Sequence, residues 1–279
     1  MEGPGAGAGS GMTPNRTAAT ENFPVASWLI RPVNRAPIMA FYRFARTADD
    51  IADHAPLTPA EKLARLEAMR ATMAGEADTE PAALALREVM AARGLDSAHA
   101  LDLLTAFVRD VTTPRTASYD DLLVYCEKSA APVGRFVLDV HGEDHAVWAA
   151  SDALCVALQI INHLQDCGKD FREMGRVYIP DDMLRRAGLD IDVLGGSVAS
   201  APLRAVIAEL AQRCEQLLGW AAGFAAALRD RRLAMEVRVI QRLAVDLAAQ
   251  LKVRDPLAER IDHSKPRAAW LALTAIVAR

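Results

Sequence analysis

Three aspartates fall within five positions of the stretch FARTADDIAD: Asp49, Asp50 and Asp53. The flanks are apolar, APIMAFYRF before them and Ile51-Ala52 between. On a helix Asp49 and Asp53 are four residues apart, and Asp50 and Asp53 three. All three then lie on or near one face, where like charges cost an isolated helix about 0.2–0.5 kcal/mol per pair. Burying them without partners would cost far more. A solvated face would resolve this, but a second stretch argues otherwise. In CVALQIINHLQDCGKD (155–170), Gln159, Asn162, His163, Asp166 and Asp170 follow one another along an otherwise apolar helix. A wet face would carry Lys, Arg and Glu. Short amides and carboxylates on a buried helix point to a polar cavity inside the fold. Each stretch holds an aspartate pair one turn apart, about 5–6 Å. Carboxylates so spaced hold hard divalent cations that share their remaining sites with phosphate oxygens. Mg²⁺ is the expected ion, with Mn²⁺ as the alternative. Arg46, one turn before Asp49 and Asp50, with Lys169, Arg172 and Arg176 around Asp170, would supply charge-assisted bonds to a diphosphate.

The elements that must position these groups are helices. The chain has 279 residues, is 52% hydrophobic and only 5% aromatic, and shows little strand-type alternation. Helical periodicity predicts helices over 36–54, 58–74, 80–93, 97–112, 118–142, 146–172, 201–227 and 230–253, with a further candidate at 265–278. Thr58-Pro59-Ala60-Glu61 reads as an N-terminal cap, Ser118 precedes two acids, and Gly94 reads as a C-terminal stop. Residues 174–200 read as a connection carrying one short helix, DDMLRRAG. No repeat of 20–50 residues appears, so a solenoid is excluded. The expected architecture is all-α, a single helical domain over 21–279 around a central apolar cavity, preceded by a disordered tail at 1–20.

Four ordered stretches carry a resemblance: FYRFARTADDIAD, YCEKSAAPVGR (125–135), ALQIINHLQDCGKD (157–170) and GRVYIP (175–180). Together they resemble the trans-isoprenyl diphosphate synthases, and within these the head-to-head branch of squalene and phytoene synthases. The wording, including ENFPVAS at 21–27 and RDPLAERIDHSK at 254–265, is most similar to the bacterial hydroxysqualene synthases of hopanoid pathways. The resemblance implies that Asp49, Asp50, Asp53, Asp166 and Asp170 bind metal, and that Arg46 and Arg176 serve the diphosphate. It implies that Gln159 and Asn162 line the cavity, and that Tyr42, Tyr125 and Tyr178 stand near the reacting carbons. Ser129, Pro132, Val133 and Gly134 would form a bend opening onto the cavity. Asn22, Phe23, His163 and Lys169 complete the expected substrate-binding set. Gln165 and Asn22-Phe23 depart from the Arg and His-Ser of many relatives. His163, Asn162 and Tyr125 are candidates for holding a capturing water, with a packed core histidine the plainer reading of His163.

The implied chemistry is metal-assisted loss of diphosphate from a C30 prenyl diphosphate, presqualene diphosphate, followed by rearrangement and water capture to hydroxysqualene, without NADPH. Condensation of two prenyl diphosphates by a sister enzyme and an inactive assembly protein of the same fold stand as alternatives. A net charge of −4 argues against nucleic acid as a partner. The four cysteines form no CxxC pair, which fits reduced thiols in a cytoplasmic setting, with Cys126 and Cys167 as apolar fillers. No apolar run reaches the length of a membrane span. LLGWAAGFAAAL (217–228) and AAWLALTAIVA (268–278) come closest and are too short to span; the first reads as core, and the basic stretch 229–242 as a solvated face. A lipid substrate makes peripheral contact with the inner face of the cell membrane, and handover between upstream and downstream pathway enzymes, reasonable expectations.

Overall fold

The computed structural model describes residues 29–277; the expected tail at 1–20 and the candidates Asn22 and Phe23 lie outside them. The described residues form α1 (Pro32–Asp53), α2 (Pro59–Ala74), α3 (Pro81–Ala91), α4 (Ala98–Thr112), α5 (Tyr119–Ser129), α6 (Ala131–His141), α7 (Trp148–Met174), α8 (Asp181–Arg186), α9 (Ala201–Trp220), α10 (Phe224–Ala227), α11 (Arg231–Leu251) and α12 (Lys265–Val277). Among them there is no strand beyond one isolated bridge between Arg115 and Val177. The all-α expectation holds.

α1 starts four residues earlier than periodicity predicts, because Pro at its first position suits the φ a helix needs and forfeits no bond there. Phe41, Phe44, Ala48 and Ile51 recur every three or four residues and are buried. They pack against α3 and α4, and Phe41 stacks on Phe136 of α6 at 4.0 Å. α2 opens with the expected N-terminal cap at Thr58, which is closed reciprocally as a capping box. The Glu61 amide donates to Thr58 Oγ1 at 3.3 Å, and the Thr58 amide donates to Glu61 Oε2 at 2.8 Å.

Two predicted helices are each two. The span 118–142 breaks at Ala130 (φ −121°, ψ −48°). Pro132 has no N–H to give and its ring excludes a straight continuation of the preceding turn. The span 201–227 breaks after Trp220, where Gly219 and Gly223 weaken the helix and the Ala221 carbonyl accepts both from the Phe224 amide at 2.9 Å and from Gln241 Nε2 of α11 at 2.5 Å.

α7 is the central element, packed by α5, α6, α9 and α11. His145–Met174 is long and apolar enough to cross a membrane by length and composition, contrary to the sequence expectation, and half of that apolar window is buried inside the protein. Leu154, Ala157, Ile160, Ile161 and Leu164 point into the larger of the two main cores. α7 stops at Gly175, whose left-handed φ of 66° turns the chain back. Val177 then pairs with the segment after α4: its amide donates to Pro114 O at 2.8 Å, and the Thr116 amide donates to Val177 O at 3.1 Å. In extended chain alternate side chains share a side, so Arg176 and Tyr178 line one cavity while Val177 is buried away from it.

Candidate active site

A cavity of about 920 Å³ runs between α1, α4, α5, α6, α7 and α11, large for a small-molecule pocket. Its two ends differ in character. Ile30, Ile38, Phe136, Leu138, Leu154, Phe224, Leu233 and Val237 make one end apolar. Asp49 and Asp53 from α1, Asp110 from α4, Asp166, Lys169, Asp170 and Glu173 from α7, and Arg176 make the other polar.

The aspartates of α1 do not stand bare. Arg46 Nη1 reaches Asp49 Oδ2 and its Nη2 reaches Asp50 Oδ1, each at 2.7 Å. Arg176, 8% exposed, donates to Asp53 Oδ1 at 2.5 Å and to Ala52 O at 3.0 Å. Asp49 and Asp53 line the cavity; Asp50 does not. Asp49 is nevertheless pushed up to about 7, first by burial and then by the charge of Asp53. Asp170 is also pushed up to about 7, by burial and by Asp166 one turn away. The two faces therefore carry more carboxylate than their arginines neutralise. Hard oxygen donors in that state are the set a divalent cation takes. Among the described residues no three His, Cys, Asp or Glu converge as they stand on one ion. A bound ion would draw its ligands from Asp49, Asp53, Asp166 and Asp170, which are the expected residues less Asp50.

Beside Asp110 at the polar end, Tyr125 of α5, His163 of α7 and Tyr178 form an aromatic wall. His163 stacks on Tyr178 at 3.6 Å and 19°, and Tyr125 and Tyr178 are 5.3 Å apart between ring centres. His163 Nε2 accepts from the Gln159 amide at 3.1 Å. Burial, then the Arg176 charge, pushes His163 down to about 3, so the imidazole is neutral. It is a hydrogen-bonded core histidine that also faces the cavity, and it has no basicity to offer near neutral pH. Tyr42, Gln159, Asn162, Ser129, Val133 and Gly134 line the cavity as well. The Ser129 hydroxyl is buried with no partner among the described residues. Gly134 marks a close approach of α6 to α7, since a Cβ there would stand 2.6 Å from both Cys155 Sγ and Ser151 Oγ.

Two expected groups point elsewhere. Arg172 donates to Gly196 O at 3.3 Å and is not among the cavity-lining residues. Gln165 likewise does not line the cavity, and its amide reaches Ile261 O at 2.5 Å. Cys126, Cys167 and Cys214 are buried free thiols, pushed high by burial, as expected of apolar fillers. Asp110 and Glu236 were not foreseen. Each is buried and lines the cavity. Asp110 accepts from Tyr125 Oη at 3.0 Å and from Tyr178 Oη at 2.8 Å. The available signal was an acid occupying a core position in the helical series Leu103, Ala106, Asp110.

Residues 16–270 match the family model for squalene/phytoene synthase. The chain is 51% identical to a hydroxysqualene synthase of Zymomonas mobilis over 93% of its own length and 88% of that protein. It is 50% identical to a hydroxysqualene synthase of Rhodopseudomonas palustris over 92% and 88%. Among solved structures it superposes on the squalene synthase HpnC from Alicyclobacillus acidocaldarius with a TM-score of 0.73 at 31% identity, covering 85% of this chain and 90% of that one.

Proposed function

Because the chain belongs to the squalene/phytoene synthase family, we propose that it forms hydroxysqualene from presqualene diphosphate by ionisation, ring rearrangement and capture of water. The observation that carries this reading is the two-ended cavity, acidic at one end and apolar at the other, in a chain half identical to hydroxysqualene synthases. Asp49, Asp53, Asp166 and Asp170 would hold Mg²⁺, which when bound supplies Lewis-acid neutralisation of the leaving diphosphate.

The chain's own residues do the rest. Arg46 and Arg176 keep the aspartates of α1 apart and aligned, and present cationic groups to the diphosphate end. The apolar end takes the two prenyl tails and keeps bulk water from the cation. The faces of Tyr125, Tyr178 and neutral His163 offer electron-rich surface without a competing positive charge. Gln159 fixes the imidazole. No nicotinamide cofactor enters this sequence of steps. Exposed Trp270, Leu273 and Val277 on α12 support peripheral contact with a membrane that stores the lipid substrate.

The test is a product assay. Protein with Mg²⁺ and no NADPH receives presqualene diphosphate in one reaction and farnesyl diphosphate in another. Hydroxysqualene from the first alone is expected. Presqualene diphosphate formed from the second would move the enzyme to the condensing step. No product from either, together with no thermal shift by Mg²⁺ and pyrophosphate, would favour the assembly protein.

A further inference from the structure

We propose that Asp110, acting through the phenols of Tyr125 and Tyr178, accepts the proton released when water captures the rearranged cation. The inference rests on the hydroxysqualene-forming reading and names the residue that completes it.

The geometry comes first. Asp110 sits 7% exposed at the end of α4, and its two carboxylate oxygens are divided between two hydroxyls. Oδ2 accepts from Tyr125 at 3.0 Å and Oδ1 accepts from Tyr178 at 2.8 Å. Each phenol has one proton, and both protons are directed at Asp110. Toward the cavity these oxygens therefore present lone pairs only. A water in the cavity meets hydrogen-bond acceptors at this wall, which turns its own oxygen toward the hydrocarbon.

Apart from Glu236, which lies on the cavity wall between Leu233 and Val237 of α11 and is bonded to neither phenol, the proton has few other destinations. His163, stacked on Tyr178, has its Nε2 occupied by Gln159 and is pushed down to about 3 by burial and Arg176. Arg176 is permanently charged. Asp49, Asp53, Asp166 and Asp170 are committed to the diphosphate end. Asp110 has two short bonds to the phenols, and burial lifts it to about 6, which suits a base working near neutrality.

The step balances. The water oxygen bonds to the cationic carbon, and one water proton passes to a phenol oxygen. That phenol's own proton passes to Asp110. Carbocation, water and carboxylate become alcohol and carboxylic acid, with no oxidant or reductant. The acid returns its proton to solvent after product leaves.

The experiment follows diphosphate release and product composition together, from presqualene diphosphate with Mg²⁺, for wild type, Asp110→Asn, Tyr125→Phe and Tyr178→Phe. Asn keeps the size of Asp110 but is a far weaker proton acceptor. Asp110→Asn is expected to release diphosphate within about threefold of wild type, while the hydroxysqualene share of product falls about tenfold or more. Elimination products, their proton taken by the departing diphosphate, would replace it. At least one Tyr→Phe variant should reproduce that partition. An unchanged hydroxysqualene share in all three variants would overturn the relay and leave diphosphate as the acceptor. Equal losses of release and alcohol in Asp110→Asn would reduce Asp110 to a structural role. If Asp110→Asn does not fold, the two tyrosine variants carry the test by the same criterion. If wild type itself makes no hydroxysqualene, the functional reading falls and the relay with it; if wild type makes it and no partition changes, the relay alone falls.

Discussion

Gly134→Ala adds one methyl group at a close contact between α6 and α7. Its Cβ would lie 2.6 Å from Cys155 Sγ and 2.6 Å from Ser151 Oγ, where ordinary contacts are about 3.5–4.0 Å. About 1 Å of relief is needed. Ser151 and Cys155 each have only χ1 to turn, on a helix where one of the three wells is closed by the preceding turn. Both side chains must then leave their present rotamers together, or the helices must separate. Overpacking of this kind costs about 1–3 kcal/mol, which for a chain of this size is a fall in Tm of roughly 2–12 °C. Differential scanning fluorimetry reads it directly. The reasoning also specifies a suppressor. Ser151→Ala and Cys155→Ala remove the two clashing atoms, and the remaining Ser151 Cβ stands at an ordinary 3.9 Å. The triple variant should recover most of the loss suffered by Gly134→Ala, relative to the Ser151→Ala/Cys155→Ala double variant as reference. A Tm for Gly134→Ala within 1 °C of wild type, or a triple variant no better than its parts predict, would refute the close-approach argument (about 0.3–0.5 kcal/mol is the tolerance for additivity).

Asp170→Asn should lower turnover of presqualene diphosphate by about 100-fold or more, while Tm without metal holds or rises, because the substitution removes a buried like charge beside Asp166; a steady-state assay and a melt check both. His163 is held near 3 in the folded protein and titrates at 6.5 when unfolded. Only the unfolded chain binds that proton between those values, so its contribution is complete above about pH 6.5 and is lost as pH falls toward 3; the Tm difference between wild type and His163→Gln should narrow from pH 7.5 to pH 5. Trp270→Ser/Leu273→Ser should weaken co-flotation with anionic vesicles at low salt and leave turnover of detergent-dispersed substrate unchanged. Binding of wild type equal to that of the variant would remove α12 as the contact.

How much was legible in the sequence follows from what local order can encode. Helical periodicity, the N-terminal cap at Thr58 and the polar stripe of α7 are repeats over three or four residues, and each appears as expected apart from the breaks at Ala130 and after Trp220. The five expected metal-binding aspartates were visible for the same reason, since like charges one turn apart on an apolar helix demand an explanation wherever they occur. What local order could not encode was who answers whom. That Arg46 bridges Asp49 and Asp50, leaving Asp50 off the cavity wall, depends on side-chain direction rather than spacing. That Arg176 reaches across 123 positions to Asp53 depends on the turn at Gly175 and the pairing of Val177. Asp110 looks like one more charge near a helix end until the fold carries Tyr125 and Tyr178 to its two oxygens. Burial patterns and charge repulsion act between near neighbours, so the helices and an acidic cavity could be read from residue order alone. The fold alone brings Arg176 to Asp53 and the phenols of Tyr125 and Tyr178 to Asp110, because a hydrogen bond is set by distances of about 3 Å between groups that the chain separates by 15 to 123 residues.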